Sequence, residues 1–197
     1  GVDHPKVATY AEILSGTRVA GKTVAIVGAG GIGFDVAEFL VTPTAEANGS
    51  EAFFDTWGVD GNFSAPGALK ADPQAPVGGT RKVVMLQRKT TKPGDGLGVS
   101  TGWIVRNALR KYGVEMLGGV SYERIDDEGL HIKIAGRRQV IAADTIVLCT
   151  GQESERALHA ALIERGIPAT VVGGAKEATE LDALRAIDEG IRLAQSL

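Results

Sequence analysis

Three observations predict an α/β fold built on a parallel sheet. Residues 22–40, KTVAIVGAGGIGFDVAEFL, read as an apolar strand, a glycine turn and an amphipathic helix in direct succession. Two more short runs, KVVML at 82–86 and DTIVLC at 144–149, are apolar almost throughout. That suits strands buried on both faces of a parallel sheet, where half-exposed strands would alternate. Between them, residues 120–141 hold short strand-like runs broken by DDEG and AG, the pattern of a small antiparallel meander. The predicted class is therefore α/β: a Rossmann-like (FAD/NAD(P)-binding) three-layer domain with a small antiparallel meander.

Composition narrows the function. With 197 residues the chain suffices for one full domain, or for one domain and part of another. A net charge of −3 leaves no basic footprint for nucleic acid. No apolar run approaches the roughly 20 residues of a membrane span, and no signal-peptide pattern opens the chain, so no membrane partner is expected. The single cysteine, Cys149, excludes an internal disulfide and a cysteine-ligated metal cluster in this segment; a reducing cytoplasm is the expected compartment. Opening on Gly1, the sequence reads as a processed protein or an excised piece of a larger one.

In chain order, Asp3, His4 and Pro5 signal a turn, and residues 7–14 a short strand or helix closed by Gly16. His4, beside a proline, is a turn residue. The strand at 23–27 then feeds Gly28, Ala29, Gly30, Gly31, Ile32 and Gly33, with G-x-G-x-x-G spacing on Gly28, Gly30 and Gly33. The first glycine permits the tight turn, the second lets backbone approach a pyrophosphate, and the third lets helix and strand pack closely. The following helix turns its free N–H groups and positive dipole end toward that phosphate. Phe34, Val36, Ala37 and Leu40 face back onto the sheet. Alone, the spacing is weak evidence, because glycine-rich turns are common and a merely structural βα turn is the alternative; the strand before it and the helix after it favour a dinucleotide site.

The helical pattern stops at Thr42-Pro43, and residues 42–80 form an insertion too long for an ordinary loop. It is packed over the domain or partly disordered, with Phe53, Phe54, Trp57, Phe63 and Leu69 available to dock onto the same domain. After the strand at 82–86 come Arg88 and Lys89, with Lys92 close behind. At this strand end an acidic residue would hold the ribose 2′-hydroxyl of NAD; basic side chains suit the 2′-phosphate of NADPH. The plain alternative is a solvated basic loop.

KPGDGLG at 92–98 is a compliant loop able to lie over a ligand. Ser100 or Thr101 caps a helix over 102–112, whose apolar face offers Trp103, Ile104, Ala108 and Leu109 and which Gly113 ends. A strand at 114–117 and the meander strands at 120–125, 130–134 and 139–141 follow. Asp126 and Asp127 are hairpin turn residues, not an acid–base pair. The strand at 144–149 ends in Thr150-Gly151, with Cys149 a small core residue. Last come a helix at 154–165 with Ala157, Leu158, Ala161 and Leu162 inward, a final strand at 169–172, and Gly173-Gly174. A closing helix at 180–197 turns Leu181, Leu184, Ile187, Ile191 and Leu193 to one face.

Taken together, GVDHP, KTVAIVGAGGIGFDVAEFL, VMLQRKTTKPGDGLGVSTGW, GVSYERIDDEGLHI, VLCTGQE and ELDALRAIDEGIRLA resemble the bacterial NADPH-dependent 2,4-dienoyl-CoA reductases, in the trimethylamine dehydrogenase-like superfamily. The resemblance spans nearly the whole chain but only the C-terminal part of that family's architecture. Those proteins carry an N-terminal TIM barrel with FMN, a 4Fe-4S cluster, and an FAD domain into which an NADPH domain is inserted. The resemblance implies an NADPH-binding Rossmann-like domain at 1–150 and the C-terminal segment of the FAD domain at 151–197. Their partners would be the TIM barrel and FAD half-domain of the same parent chain.

It further implies that Gly28 to Gly33 hold the NADPH pyrophosphate, that Arg88 and Lys89 hold the 2′-phosphate, and that Thr150-Gly151 forms the family's strand-end turn near the cofactors. Gly173, Gly174 and Leu181-Asp182-Ala183 would lie along FAD. Lys176 departs from the pattern, standing where such flavoproteins often place an acidic residue. The FAD domain's own glycine motif and the cluster cysteines are not in this sequence. FAD would thus be shared with the rest of the parent, and FMN and the cluster would belong to the parent alone. No metal ligand and no catalytic residue is assigned in this chain. The implied activity is hydride delivery from NADPH to FAD, with electrons passing through the cluster to FMN and on to the dienoyl thioester. The alternatives are an ADP-binding structural domain, as in amine dehydrogenases, and a non-catalytic nucleotide-binding module.

Overall fold

Backbone groups buried in a sheet must pair with neighbouring strands, so the predicted apolar runs have to find one another across long stretches of sequence. The computed structural model describes residues 1–42, 50–70, 80–179 and 181–196, in two compact units, Gly1–Cys149 and Thr150–Leu197. In chain order the first unit holds β1 (Val7–Thr9), α1 (Tyr10–Leu14), β2 (Thr23–Val27), α2 (Gly31–Val41), α3 (Ser50–Trp57), β3 (Lys82–Leu86), α4 (Gly102–Lys111), β4 (Glu115–Leu117), β5 (Val120–Asp126), β6 (Gly129–Ile134), β7 (Arg137–Ile141) and β8 (Thr145–Leu148). The second holds α5 (Ala157–Glu164) and α6 (Ala183–Ser196).

Five parallel strands form one sheet in the order β1-β8-β2-β3-β4, and β5-β6-β7 form a separate antiparallel sheet. Strand β2 is central, and its two faces are buried by different layers. Val24 and Ile26, with Val83, Met85 and Val147, pack against Phe34, Val36, Ala37 and Leu40 of α2 and Leu109 of α4. Ala25 and Val27, with Val84, Leu86 and Ile146, pack against Val120, Leu130 and Ile132 of the meander. The fold is therefore the expected three-layer α/β domain, with the meander itself as the third layer. The four residues assigned to the sheet-facing side of α2 are all buried. The 7–14 segment is both a strand and a helix: Thr9 ends β1 and then caps α1 through a reciprocal capping box with Glu12.

The structure corrects several element-level expectations. Helix α4 turns Leu109 and the partly buried Val105 inward, whereas Trp103 is 54% and Ile104 36% exposed. Only a narrow stripe of α4 meets α2, and the residues four apart at 105 and 109 fill it. Neither expected cap operates as a side chain: Thr101 makes no capping bond, and the carbonyl of Gly98 instead accepts from the N–H groups of Thr101 and Gly102. Residues 169–172 form no strand among the described residues. Val172 is extended (φ −136°, ψ 166°), but an extended segment becomes a strand only when a neighbour exchanges backbone bonds with it. Leu158 is 74% exposed, so α5 buries no such face as its spacing suggested.

Within the insertion, the expectations for residues 43–49 and 71–79 lie outside the described residues. Residues 50–57 form α3, and Val59 bridges Leu69. Trp57 meets α4 through the Lys111 ammonium, 4.5 Å from its ring centroid. The expected docking of the other large apolar side chains is only partial, since Phe53, Phe63 and Leu69 are exposed. Asp60 explains the loop: its carboxylate accepts from Asn62 N, Ser64 N, Ser64 Oγ and Ala65 N, which holds its pKa down at about 2.

Candidate dinucleotide site

The glycine turn begins while the chain is still held by both neighbouring strands. Gly28 N donates to Leu86 O at 2.8 Å, and Cys149 N donates to Val27 O at 2.8 Å. The chain must therefore reverse at once. Gly28 does so at φ +115°, a conformation that side chains oppose. A Cβ there would fall 2.4 Å from Cys149 O, and one on Gly33 would fall 2.1 Å from Gly28 O. These two glycines build the turn and the close helix–strand contact. Gly30 and Gly31 differ: a Cβ on either meets nothing within 4 Å. Their backbone faces open space, while Ala29 and Ile32 pack toward the core.

Helix α2 starts at Gly31 with Gly30 as its N-cap residue and no side-chain capping bond. The first-turn N–H groups of a helix have no intrahelical partner, and the macrodipole adds positive potential there. An uncapped start beside open glycine backbone fits an anionic group such as a pyrophosphate.

Register supplies the second half of the site. Val27 pairs with Leu86, so Gly28 and Gln87 leave the same edge of the sheet from adjacent strands. Arg88 and Lys89 follow directly, with exposed side chains. Burial pushes the Tyr122 phenol up to about 12, and the neighbouring Arg88 charge opposes that rise. Beneath the basic pair, the Gln87 amide donates to Lys89 O at 3.0 Å and to Thr91 O at 2.6 Å. The glycine-rich loop that follows is anchored as well. Gly94 (φ +76°) is buried so closely that a Cβ would lie 2.6 Å from Phe34 Cζ of α2. The Arg106 guanidinium donates to Pro93 O at 3.1 Å and to Gly94 O at 2.7 Å. Gln87 and Arg106 escaped the sequence reading because a carbonyl acceptor leaves no signature in side-chain type.

In the second unit, Gly173, Gly174, Leu181 and Asp182, all proposed to line a flavin, have structural partners within the unit. Gly173 N donates to Glu189 Oε2 at 2.8 Å, and a Cβ on Gly174 would fall 2.9 Å from Leu181 Cδ2. The paired glycines thus let a short turn pack on α6 and its approach. Asp182 Oδ1 accepts from Arg185 N at 2.8 Å, the bond of an N-cap, and α6 starts at Ala183 accordingly. Lys176 lies 3.8 Å from Glu189 Oε2. Thr150 and Gly151 are exposed, Gly151 at φ +77°.

Other chemical groups have structural explanations. Burial pushes the Cys149 thiol up to about 12, so it is a poor nucleophile, as its core position suggested. Asp126 accepts from Glu128 N at 3.0 Å, so it is a turn residue as expected. Its contact with His131 Nε2 at 2.8 Å is the largest cause of a pKa held down at about 2, with Arg124 contributing. No helix among the described residues is long and apolar enough to cross a membrane.

The match to known proteins follows the same lines. The family model for pyridine nucleotide-disulphide oxidoreductases matches residues 3–173. A metal reductase of Desulforamulus reducens is 27% identical over 189 residues, covering 95% of this chain and 27% of its own length. Among solved structures, 2-naphthoyl-CoA reductase superposes with a TM-score of 0.69 at 18% identity, over 100% of this chain and 24% of that one. Histamine dehydrogenase from Rhizobium sp. 4-9 gives 0.65 at 18% identity, over 98% and 26%. At such identities the structural likeness speaks for the fold. The chain spans about a quarter of the length of each of these proteins.

Proposed function

The chain belongs to the pyridine nucleotide-disulphide oxidoreductase family, and from that premise we propose that it delivers hydride from NADPH to FAD within a larger reductase of 2,4-dienoyl-CoA thioesters. The carrying observation is one juxtaposition: an uncapped helix start with open glycine backbone, beside Arg88 and Lys89 at the end of the adjacent strand. In this reading the N–H groups around Gly30 to Ile32 hold the pyrophosphate, and the guanidinium of Arg88 pairs with the 2′-phosphate, with Lys89 adding charge. An ADP-holding structural domain would instead present a 2′-hydroxyl, for which an acidic acceptor is the matching partner. When bound, NADPH supplies a hydride that FAD takes up with a proton, so two electrons move together. The chain's own contribution is to orient the dinucleotide.

The same reading gives the second unit the flavin side, with Thr150-Gly151, Gly173, Gly174 and Leu181-Asp182-Ala183 along FAD. Leu184, Ile187 and Ile191 form an exposed apolar stripe on α6, which suits an FAD half-domain of the parent chain as its cover. The parent's FMN, 4Fe-4S cluster and TIM barrel would carry electrons to the thioester in unsaturated fatty acid β-oxidation; they rest on the family resemblance. The test is calorimetry on the full-length protein. NADPH should bind at least tenfold more tightly than NADH, and Arg88→Ala should cost NADPH about 1.5–3 kcal/mol while sparing NADH. Equal affinities in the wild type would sink the assignment.

A further inference from the structure

The basic pair lies on a loop that is held from below, and one side chain does most of the holding. Gln87 continues the ladder after β3: its N–H donates to Leu117 O at 2.9 Å, and its carbonyl accepts from Val120 N at 3.0 Å. The chain then turns, and the Gln87 side chain folds under its own successors to reach Lys89 O and Thr91 O. Both partners are carbonyl oxygens, so only the amide nitrogen can face them; the flipped amide would set three acceptors together. Lys89 O also accepts from Gly119 N at 2.9 Å, so it receives two donors. The floor is a glycine. A Cβ on Gly118 would lie 3.1 Å from Thr91 O and 3.2 Å from Lys89 O, so both carbonyls would have to give by a few tenths of an ångström.

We propose that Gln87 is a positioning residue for cofactor selectivity: with Gly118 as floor, it fixes the backbone that carries Arg88 and Lys89, and so sets the preference for NADPH over NADH. The proposal rests on reading Arg88 and Lys89 as ligands of the 2′-phosphate. Its physics is pre-organisation. A loop already closed by side-chain bonds presents its cations without losing conformational freedom on binding. NADH lacks the 2′-phosphate and gains nothing from that ordering, so the effect falls on one cofactor only. The other face of the loop stays free, since the bonds to Gln87 and Gly119 consume backbone carbonyls and leave the two cationic side chains exposed.

The experiment measures NADPH and NADH dissociation constants for the full-length wild type, Gln87→Leu, Gly118→Ala, the double variant Arg88→Ala with Lys89→Ala, and Gln87→Leu combined with that double variant. Gln87→Leu and Gly118→Ala displace the same carbonyls by different routes, one by loss of donors and one by contact, so neither fate depends on a single variant folding. Each should weaken NADPH roughly tenfold and leave NADH within about twofold. Gln87→Leu should cost nothing further once both cations are gone. Equal weakening of both cofactors, an unchanged ratio, or a full additional loss in the triple variant would each overturn the role of Gln87. A wild type without preference is a separate failure, that of the NADPH reading itself, visible before any substitution.

Discussion

At the scale of single residues, the glycine turn separates positions required by the fold from positions left for a ligand. Gly33→Ala drives a methyl to 2.1 Å from Gly28 O, so the helix must move off the strand. We expect a loss of about 1–3 kcal/mol, as for other overpacked interiors, read by thermal or denaturant unfolding. Gly30→Ala places its methyl where nothing lies within 4 Å, at a φ of −89° that alanine adopts freely. Its unfolding cost should stay near that of a weakened N-cap, about 1 kcal/mol or less, while NADPH affinity falls at least tenfold. If NADPH affinity survives Gly30→Ala, the open face of the turn is not the pyrophosphate site.

At the scale of elements, the meander has its own electrostatic staple. Asp126 at the end of β5 accepts from His131 of β6, from Arg124 of its own strand and from Glu128 N in the hairpin. Its pKa is lowered from 3.8 to about 2, so the folded state favours the charged form. The stabilisation is therefore present above pH 3.8 and is lost as pH falls through about 2. The group is only half-buried, so solvent and salt weaken the effect. Acid unfolding followed by the meander's backbone signals should show a shallower pH dependence in Asp126→Asn than in the wild type across that window. An identical slope would remove Asp126 from the account. Helix α4 teaches a related lesson. Trp103 and Ile104 are as apolar as Leu109, yet only Leu109 and Val105 lie on the stripe that α2 covers.

At the scale of the whole molecule, the proposed chemistry is divided between parts. If the proposal holds, the 197-residue chain alone should bind NADPH without oxidising it when a dye is offered as electron acceptor, since that reading gives the chain only part of the flavin site. Turnover by the chain alone, followed by loss of nicotinamide absorbance, would contradict that division.

Much of the fold was legible in the residues. The boundaries of β2 and β3, the burial of Phe34, Val36, Ala37 and Leu40 in α2 and the three meander strands follow from apolar runs, spacing and turn residues, all of which act within one turn or one strand of chain. So does the glycine motif, whose positive φ at Gly28 is a local demand. What the sequence could not decide was partnership. Residues 169–172 have the composition of a strand, but no neighbouring strand pairs with them among the described residues. The pairing of Val27 with Leu86 alone sets Arg88 beside the glycine turn, and the return of the chain through Gly118 and Gly119 alone shows why Gln87 matters. By itself the sequence determined the strand–turn–helix and the sign of the charge that follows β3. The tertiary structure decided that these meet at one sheet edge, because strand order and register join residues that local periodicity cannot relate.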